Sequence, residues 1–356
     1  MRIGIVGLPQ SGKSTVFQIL VPHCPQSTDP NRPRLGVTTV PDPRIDFCAG
    51  IFKPQKVTYP TLEFVDFAGM KKSTGSDRGF SAGMLAQMRN SDALMAVVRF
   101  FTMPGSSPTP VDDFRSLMQE LVLADLTVAE PRAERLTADK KRGAKVDDRE
   151  LSGIVKVAAV LSDGLPAFKA TLTADEIQAL KGYALLTAKP FVVVANCDES
   201  GFADTDGPIS SAVKTMAAEY PDYQFLRLSA RVEEEICQLE EADRKAFLDD
   251  LGLAETARDR IIQGAFRLMD LICFLTVGED EVRAWPIRRH TCAQKAAGRI
   301  HSDLERGFIR AEVSSWEDFH KTNGSSVELK KNGLLRVEGK DYEVKDGDVI
   351  NVRFSV

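Results

Sequence analysis

Gly7-Leu8-Pro9-Gln10-Ser11-Gly12-Lys13-Ser14 is the stretch on which the reading of this chain turns. It is a complete G-x-x-x-x-G-K-S. A short apolar run at 3–6 precedes it, and a helix-forming run at 13–20 follows. Glycines there allow the backbone to wrap amide N–H groups around a β-phosphate, and the helix start adds its positive dipole end. Lys13 is expected to reach the β- and γ-phosphates and Ser14 to ligate Mg2+. Pro9, Gln10, Ser11, Gly12 and Thr15 complete the expected nucleotide cradle. A glycine-rich turn that matches by accident is the competing reading, and the strand-like and helix-like flanks argue against it.

Moving outward, residues 61–66 read as a strand that ends on Asp66-Phe67-Ala68-Gly69. Asp66 is expected to hold Mg2+, commonly through water, and the Gly69 amide to sense a γ-phosphate. D-x-x-G alone is a weak signal. Paired with the phosphate loop it points to the GTPase-like branch rather than to a small-molecule kinase, whose third element would be an Arg-rich lid. A third element is Asn196-Cys197-Asp198-Glu199, after the apolar run at 191–195. Guanine-specific relatives carry Asn-Lys-x-Asp there, and the aspartate accepts hydrogen bonds from the guanine N1–H and 2-amino group. Cys197 and the longer Glu199 remove or move that clamp. Asn196 still suits the purine N7 region, and backbone groups suit an adenine 6-amino group. A rescue by Asp198 and a merely solvated Glu199 both stay open. The fourth element, Ser229-Ala230, brings small residues to the base edge and counts only in company with the other three. Met70 follows Gly69 and cannot hydrogen-bond an attacking water, which predicts slow turnover. Arg78 and Arg89 are arginine-finger candidates by chain proximity alone, and solvated surface charge is the favoured reading for both.

At 356 residues the chain suits two or three domains, and 43% hydrophobic with 27% charged residues is ordinary for a soluble globular protein. A net charge of −5 offers no global attraction to nucleic acid or an anionic membrane. Six cysteines without a Cys-x-x-Cys pair and four scattered histidines show no metal-ligand spacing, so buried reduced thiols are expected. No apolar run approaches the ~20 residues of a membrane span. The N-terminal apolar stretch is too short for a signal sequence, so a cytoplasmic protein is expected.

Apolar runs at 3–6, 61–66, 93–99, 191–195 and 225–229 alternate with helical patterns, as at 85–90 and 212–220. This is the signature of an α/β fold: a parallel sheet with helices on both faces. Residues 112–186 interrupt it. Leu117, Leu121, Ala124 and Val128, then Ile154, Val157, Leu161, Leu165 and Phe168, are spaced as the seam of a helical hairpin. Pro131 is expected to break or restart the first helix, and Gly164-Leu165-Pro166 to end the second. Lys140-Lys141-Arg142 would lie at the polar tip. Acidic Asp139, Asp147 and Asp148 flank it, which favours a solvated tip over an RNA contact. The last 80 or so residues turn mostly β. Strand-like 282–287 and a short helix at 293–300 precede runs punctuated by Asn332-Gly333, Gly339-Lys340 and Asp346-Gly347 at hairpin spacing. Trp285 and Trp316 read as core residues. The expected domains are 1–111 with 187–272 for the nucleotide, 112–186 for the arm and 273–356 for the β domain.

Together these residues resemble the YchF/Obg-like ATPases over nearly the whole chain. The phrases that carry the resemblance are Gly4-Ile5-Val6-Gly7-Leu8-Pro9, Val40-Pro41-Asp42-Pro43-Arg44-Ile45-Asp46, Phe64-Val65-Asp66-Phe67-Ala68-Gly69 and the N-x-x-E of Asn196 to Glu199. Near the C-terminus they are Glu281-Val282-Arg283-Ala284-Trp285, Ala296-Ala297-Gly298-Arg299-Ile300-His301, residues 305–311 and residues 339–349. The resemblance implies a P-loop domain, a coiled-coil insertion and a C-terminal β-grasp module of the TGS type. It further implies Mg2+-dependent slow hydrolysis with ATP preferred over GTP, and association with the ribosome or RNA through the TGS module and arm. Nothing in the chain forces more than a monomer. Four departures bear on the carry-over. Gln10 stands where the family has Asn, linked to monovalent-cation assistance. The switch segment 27–37 places no clear Thr, the glycine-rich stretch 75–83 is altered, and the arm is short. Nucleotide binding is expected to survive all four; switching and turnover depend on the altered parts. The alternatives are a nucleotide-stabilised ribosome- or RNA-binding module with negligible turnover, and a GTP-specific translation-associated GTPase, which Glu199 disfavours.

Overall fold

The strand before the phosphate loop, β1 (Arg2–Val6), is buried at every position after Arg2. It can be so only in the middle of a sheet covered on both faces. The computed structural model describes residues 1–22, 24, 33–67, 79–202, 206–240, 243, 244, 246, 248 and 255–355. Two compact units emerge: Met1–Val37 with Glu63–Ile261, and Thr38–Leu62 with Ile262–Val356.

The first unit is built on the sheet order β2(Arg34–Thr39)-β4(Thr61–Asp66)-β1-β5(Ala93–Arg99)-β6(Phe191–Asn196)-β7(Gln224–Leu228). β1 runs parallel to β4 and β5, β5 to β6, and β6 to β7. The expected strands are therefore all present, with ends shifted by a residue at most. In a parallel sheet of this kind the loops after the strand C-termini gather at one edge. Those after β1, β4, β6 and β7 carry the four motifs. α1 (Lys13–Leu20) follows the first of them, with Val16, Phe17, Ile19 and Leu20 buried.

The arm departs from expectation in two ways. α4 (Pro110–Lys141) is one helix of 32 residues that runs through Pro131. Proline there removes one backbone bond and crowds the preceding turn, at a cost of about 3 kcal/mol. Packing offsets it: Ala129, Ala133 and Leu136 are buried against Ile154, Val157 and Leu161 of α5 (Asp148–Ser162). The hairpin seam also lies on a different face of α4 from the one expected. Leu117, Leu121 and Ala124 enter the core of the nucleotide sheet, beside Val98 and Phe191. Val122, Ala129, Ala133 and Leu136 make the seam instead. A helix this long serves two cores with two stripes, which a single spacing rule does not separate. Of the expected partners on the second helix, Ile154, Val157 and Leu161 are in the seam. Leu165 is exposed and Phe168 packs on the sheet core. α5 ends as expected, with Gly164 at φ +76 and the Leu165 amide on the Val160 carbonyl.

Asp125 ties the arm's root to the sheet domain. Its buried carboxylate accepts from the Leu186 and Thr187 amides at 2.9 and 2.8 Å, from Thr187 Oγ1 at 2.7 Å and from Arg89 Nη1 at 3.0 Å. Arg89, on α3 (Ala82–Arg89), also donates to the Ala124 carbonyl at 2.9 Å. It is neither a solvated surface charge nor an arginine finger; it is a half-buried tie.

The second unit holds the sheet β11(Arg336–Glu338)-β10(Phe308–Ser314)-β12(Val349–Phe354)-β8(Leu271–Val277)-β9(Glu281–Arg288)-β3(Lys56–Thr58). Its first and last C-terminal strands, β8 and β12, are parallel neighbours, and the helix Ala293–Ile300 packs on the face through Ala293 and Ala296. That is a β-grasp arrangement. Residues 342–344, the run between Gly339-Lys340 and Asp346-Gly347, make an isolated bridge between Glu343 and Cys292 rather than a strand. Trp285 is buried, with Nε1 donating to Thr276 Oγ1 at 2.9 Å. Trp316 packs edge-on to Phe47. α2 (Pro43–Phe52), capped by Asp42, joins this unit although it lies far upstream in sequence. Arg44 holds it, donating to Asp42 Oδ2 at 2.8 Å and to Asp346 Oδ2 at 3.0 Å. Among the described residues no helix is long and apolar enough to cross a membrane.

Candidate nucleotide site

The loop from Gly7 to Ser14 has the backbone its glycines foretell. Gly7 sits at φ +153, where a Cβ would strike the Val97 carbonyl. Gly12 sits at φ +90 against the Asn196 carboxamide. Gln10 holds φ +65, a left-handed conformation unusual for its residue type, and its side chain is exposed with Thr15's. Pro9 is half-buried before it, and Ser11 is buried with an Oγ that has no partner among the described residues. Lys13 opens α1 and crosses the loop, its Nζ donating to the Gly7 and Leu8 carbonyls at 2.9 Å each. Burial pushes the Lys13 ammonium down to about 8, with Asp66 opposing the shift. A buried cation at the N-terminus of α1 is a ready anion site.

Asp66 reaches the same place from the end of β4. The Ser14 hydroxyl donates to Asp66 Oδ2 at 3.1 Å. Asp66 Oδ1 is buried with no partner among the described residues, and a lone pair left so is costly. This pair fits Mg2+, which takes hard oxygen ligands and is completed by phosphate and water rather than by a protein cage. Arg34, at the start of β2, also addresses Asp66 Oδ2, through Nη2 at 2.5 Å and Nε at 3.2 Å. Sequence reasoning missed it, because Arg34 falls in the switch segment 27–37, where a Thr rather than an Arg was sought. Gly69, Met70 and Arg78 lie outside the described residues, as does most of 27–37.

A third group of motif residues borders an open cleft of about 610 Å³ beside the loop, lined by Gly12, Thr15, Phe101, Asn196, Glu199 and Ala230 among others. Asn196 is buried and engaged at both ends. Nδ2 donates to the Ser11 carbonyl at 3.1 Å, and Oδ1 accepts from the Ala230 amide at 3.2 Å. It therefore braces the phosphate loop against the Ser229-Ala230 turn. Ser229 is buried there, and its Oγ has no partner among the described residues. Asp198 Oδ1 accepts from the Gly201 amide at 2.8 Å, capping α7 (Glu199–Phe202), and the residue also lines the cleft. Glu199 is exposed at the cleft mouth, 3.9 Å from Arg231. Phe101 and Arg231 were not nominated from sequence, since neither belongs to a motif. The structure thus brings together Lys13, Ser14 and Asp66, and separately Gly12, Asn196 and Ala230.

A Walker-type loop between a buried parallel strand and its helix, with an aspartate from a neighbouring strand on its serine, defines a P-loop nucleotide-binding protein of the GTPase-like branch. Comparison with known proteins narrows this. Residues 271–355 match YchF-GTPase_C, described as "Protein of unknown function (DUF933)". A Haemophilus influenzae protein named "Ribosome-binding ATPase YchF" is 38% identical over 369 residues, covering 100% of this chain and 99% of that one. The Bacillus subtilis protein of the same name is 35% identical over 370 residues, covering 100% of each. The solved structure of the Schizosaccharomyces pombe YchF GTPase superposes with a TM-score of 0.84 at 26% identity, over 99% of this chain and 97% of that one. The chain belongs to the YchF family.

Proposed function

We propose that this protein is a Mg2+-dependent ATP hydrolase of low intrinsic rate whose nucleotide state regulates association with the ribosome. The observation that carries the reading is the junction of Lys13, Ser14 and Asp66 beneath a cleft whose mouth offers Glu199 where a guanine reader would place aspartate. The names of the Haemophilus and Bacillus relatives support ATP and the ribosome as partners. In the proposed reaction the loop amides at 10–15 and the Lys13 ammonium hold the β- and γ-phosphates and neutralise charge as water attacks the γ-phosphorus and the β–γ bridging P–O bond breaks, releasing ADP and phosphate. Ser14 and Asp66 would hold the metal, which supplies further charge neutralisation on the phosphate oxygens. The Gly69 amide would track the γ-phosphate. Asn196 keeps the loop rigid, and Glu199, Ser229 and Ala230 border the base. Met70 in the water-positioning place supports a slow reaction. Ribosome or RNA contact is assigned to the C-terminal module and the arm, with the working location the cytoplasm and the working form a monomer.

The test is titration of labelled ATP and GTP with Mg2+ into the wild type, Lys13→Ala and Glu199→Asp, followed by single-turnover hydrolysis. ATP preference that Lys13→Ala abolishes is the expected result. Preference for GTP would return the chain to the guanine-specific GTPases. Tight ATP binding without hydrolysis would instead favour a nucleotide-stabilised binding module, a reading that Arg34 on the metal carboxylate also favours.

A further inference from the structure

We propose that Arg34 is a built-in competitor for the divalent cation, holding Asp66 until a metal–nucleotide complex displaces it, so that this residue sets the metal concentration at which the site loads. The inference rests on the nucleotide reading above. Three observations carry it. First, Arg34 places Nη2 and Nε on a single oxygen, Asp66 Oδ2, at 2.5 and 3.2 Å, and the Ser14 hydroxyl donates to that oxygen at 3.1 Å. The guanidinium therefore stands on the two groups that fit the metal. Its Nη2 also lies 3.5 Å from the Ser14 carbonyl.

Second, the pairing is one-sided. An arginine–carboxylate pair is frequently two-pronged, one nitrogen on each oxygen. Here Oδ1 stays buried with no partner among the described residues, so the carboxylate retains ligand capacity that Arg34 does not use.

Third, the arginine is held in place. Its guanidinium lies 4.8 Å from the centroid of the Phe17 ring, on α1, and its side chain is only 16% exposed. Arginine does not lose its proton in proteins, so it presents a fixed positive charge at the metal's place. Two cations cannot share one carboxylate oxygen at contact distance without strong repulsion. Loading the metal on Oδ2 and the Ser14 hydroxyl therefore requires Arg34 to leave that oxygen, and whatever holds Arg34 there is subtracted from the metal's affinity.

The experiment uses the full chain with two probes: Mn2+ followed by its electron paramagnetic resonance signal, and fluorescent ATP titrated at increasing Mg2+. Arg34→Gln and Arg34→Lys are compared with the wild type, the lysine variant keeping the charge without the fork. Arg34→Gln is expected to lower the metal concentration at half-loading about ten-fold, the scale of one charge-assisted hydrogen bond, with Arg34→Lys between. A half-loading concentration that is unchanged or raised in a variant that still binds ATP overturns the proposal, as would an Arg34 that merely braces the fold. If the wild type binds no nucleotide at any metal concentration, the underlying functional reading fails first and takes this inference with it.

Discussion

Gly12 faces the Asn196 carboxamide where a side chain would stand. Its φ of +90 disfavours any side chain, and a Cβ there would collide with the amide nitrogen of Asn196. Asn196 cannot step aside cheaply, because it is buried and its two ends hold Ser11 and Ala230. Gly12→Ala is therefore expected to open the brace and cost nucleotide affinity on the order of a hundred-fold, or about 3 kcal/mol. Isothermal titration of Mg-ATP checks this, and the far-ultraviolet circular dichroism should stay that of the wild type. At this scale the motif residues were legible because each is chosen by local geometry: glycine for positive φ, lysine for reach, serine for a hydroxyl at the helix start. Arg34 was not legible, since nothing in the residues around it says that its guanidinium reaches Asp66 across 32 positions of sequence. Asn196 was legible as a site residue but its bracing of Ser11 was not, for the same reason.

At the scale of elements, the strands of the nucleotide sheet were readable because burial on both faces writes a continuous apolar run, as in residues 191–195. The arm was readable as two helices but not in its details. Its seam was misplaced onto Leu117 and Leu121 because α4 carries apolar residues for two cores, and spacing alone cannot say which core each stripe meets. The short helix α6 (Ala174–Leu180) shows how the hairpin is secured from outside. Glu176 closes a capping box with Thr173 and accepts from Lys156 Nζ at 2.7 Å and from Ser152 Oγ at 2.6 Å. The bonds from Lys156 and Ser152, with the Thr173 amide, hold its carboxyl down to about 2. A carboxyl depressed in the folded state stabilises the fold above its ordinary value near about 4.3, and that contribution drains away as pH falls from there towards the folded value. Glu176→Gln should thus reduce stability at pH 7 but leave it flatter than the wild type between about pH 5 and pH 2. Urea denaturation across that range, followed by circular dichroism, is the check. A wild type and variant with parallel pH profiles would count against the ion-pair account.

Considered as a whole, the molecule closes its second unit with a piece of chain from far upstream. Residues 38–62 contribute α2 and β3, which pairs with β9 at Lys56, Val57 and Thr58. Phe52 stacks on Phe319 at 6.1 Å between centroids, and Arg44 reaches Asp346. A fragment of residues 262–356 alone would leave the β9 edge unpaired and that aromatic face bare, and unpaired edges promote association. It is expected to melt several degrees below a version with 38–62 joined to its start, about what a loss of 1–2 kcal/mol does to a domain of this size. Thermal unfolding of the two fragments, with light scattering for association, decides it. The sequence by itself determined the chemistry-bearing loop, the parallel strands and the β-rich character of the C-terminal part, because each is written in contiguous residues whose spacing or conformational preference acts locally. Only the tertiary structure decided that Arg34 sits on Asp66, that α4 faces two cores, that Arg89 is a tie to Asp125, and that 38–62 completes the C-terminal unit. Those outcomes depend on long-range burial and pairing, where the partner is set by the fold and leaves no periodicity in the chain.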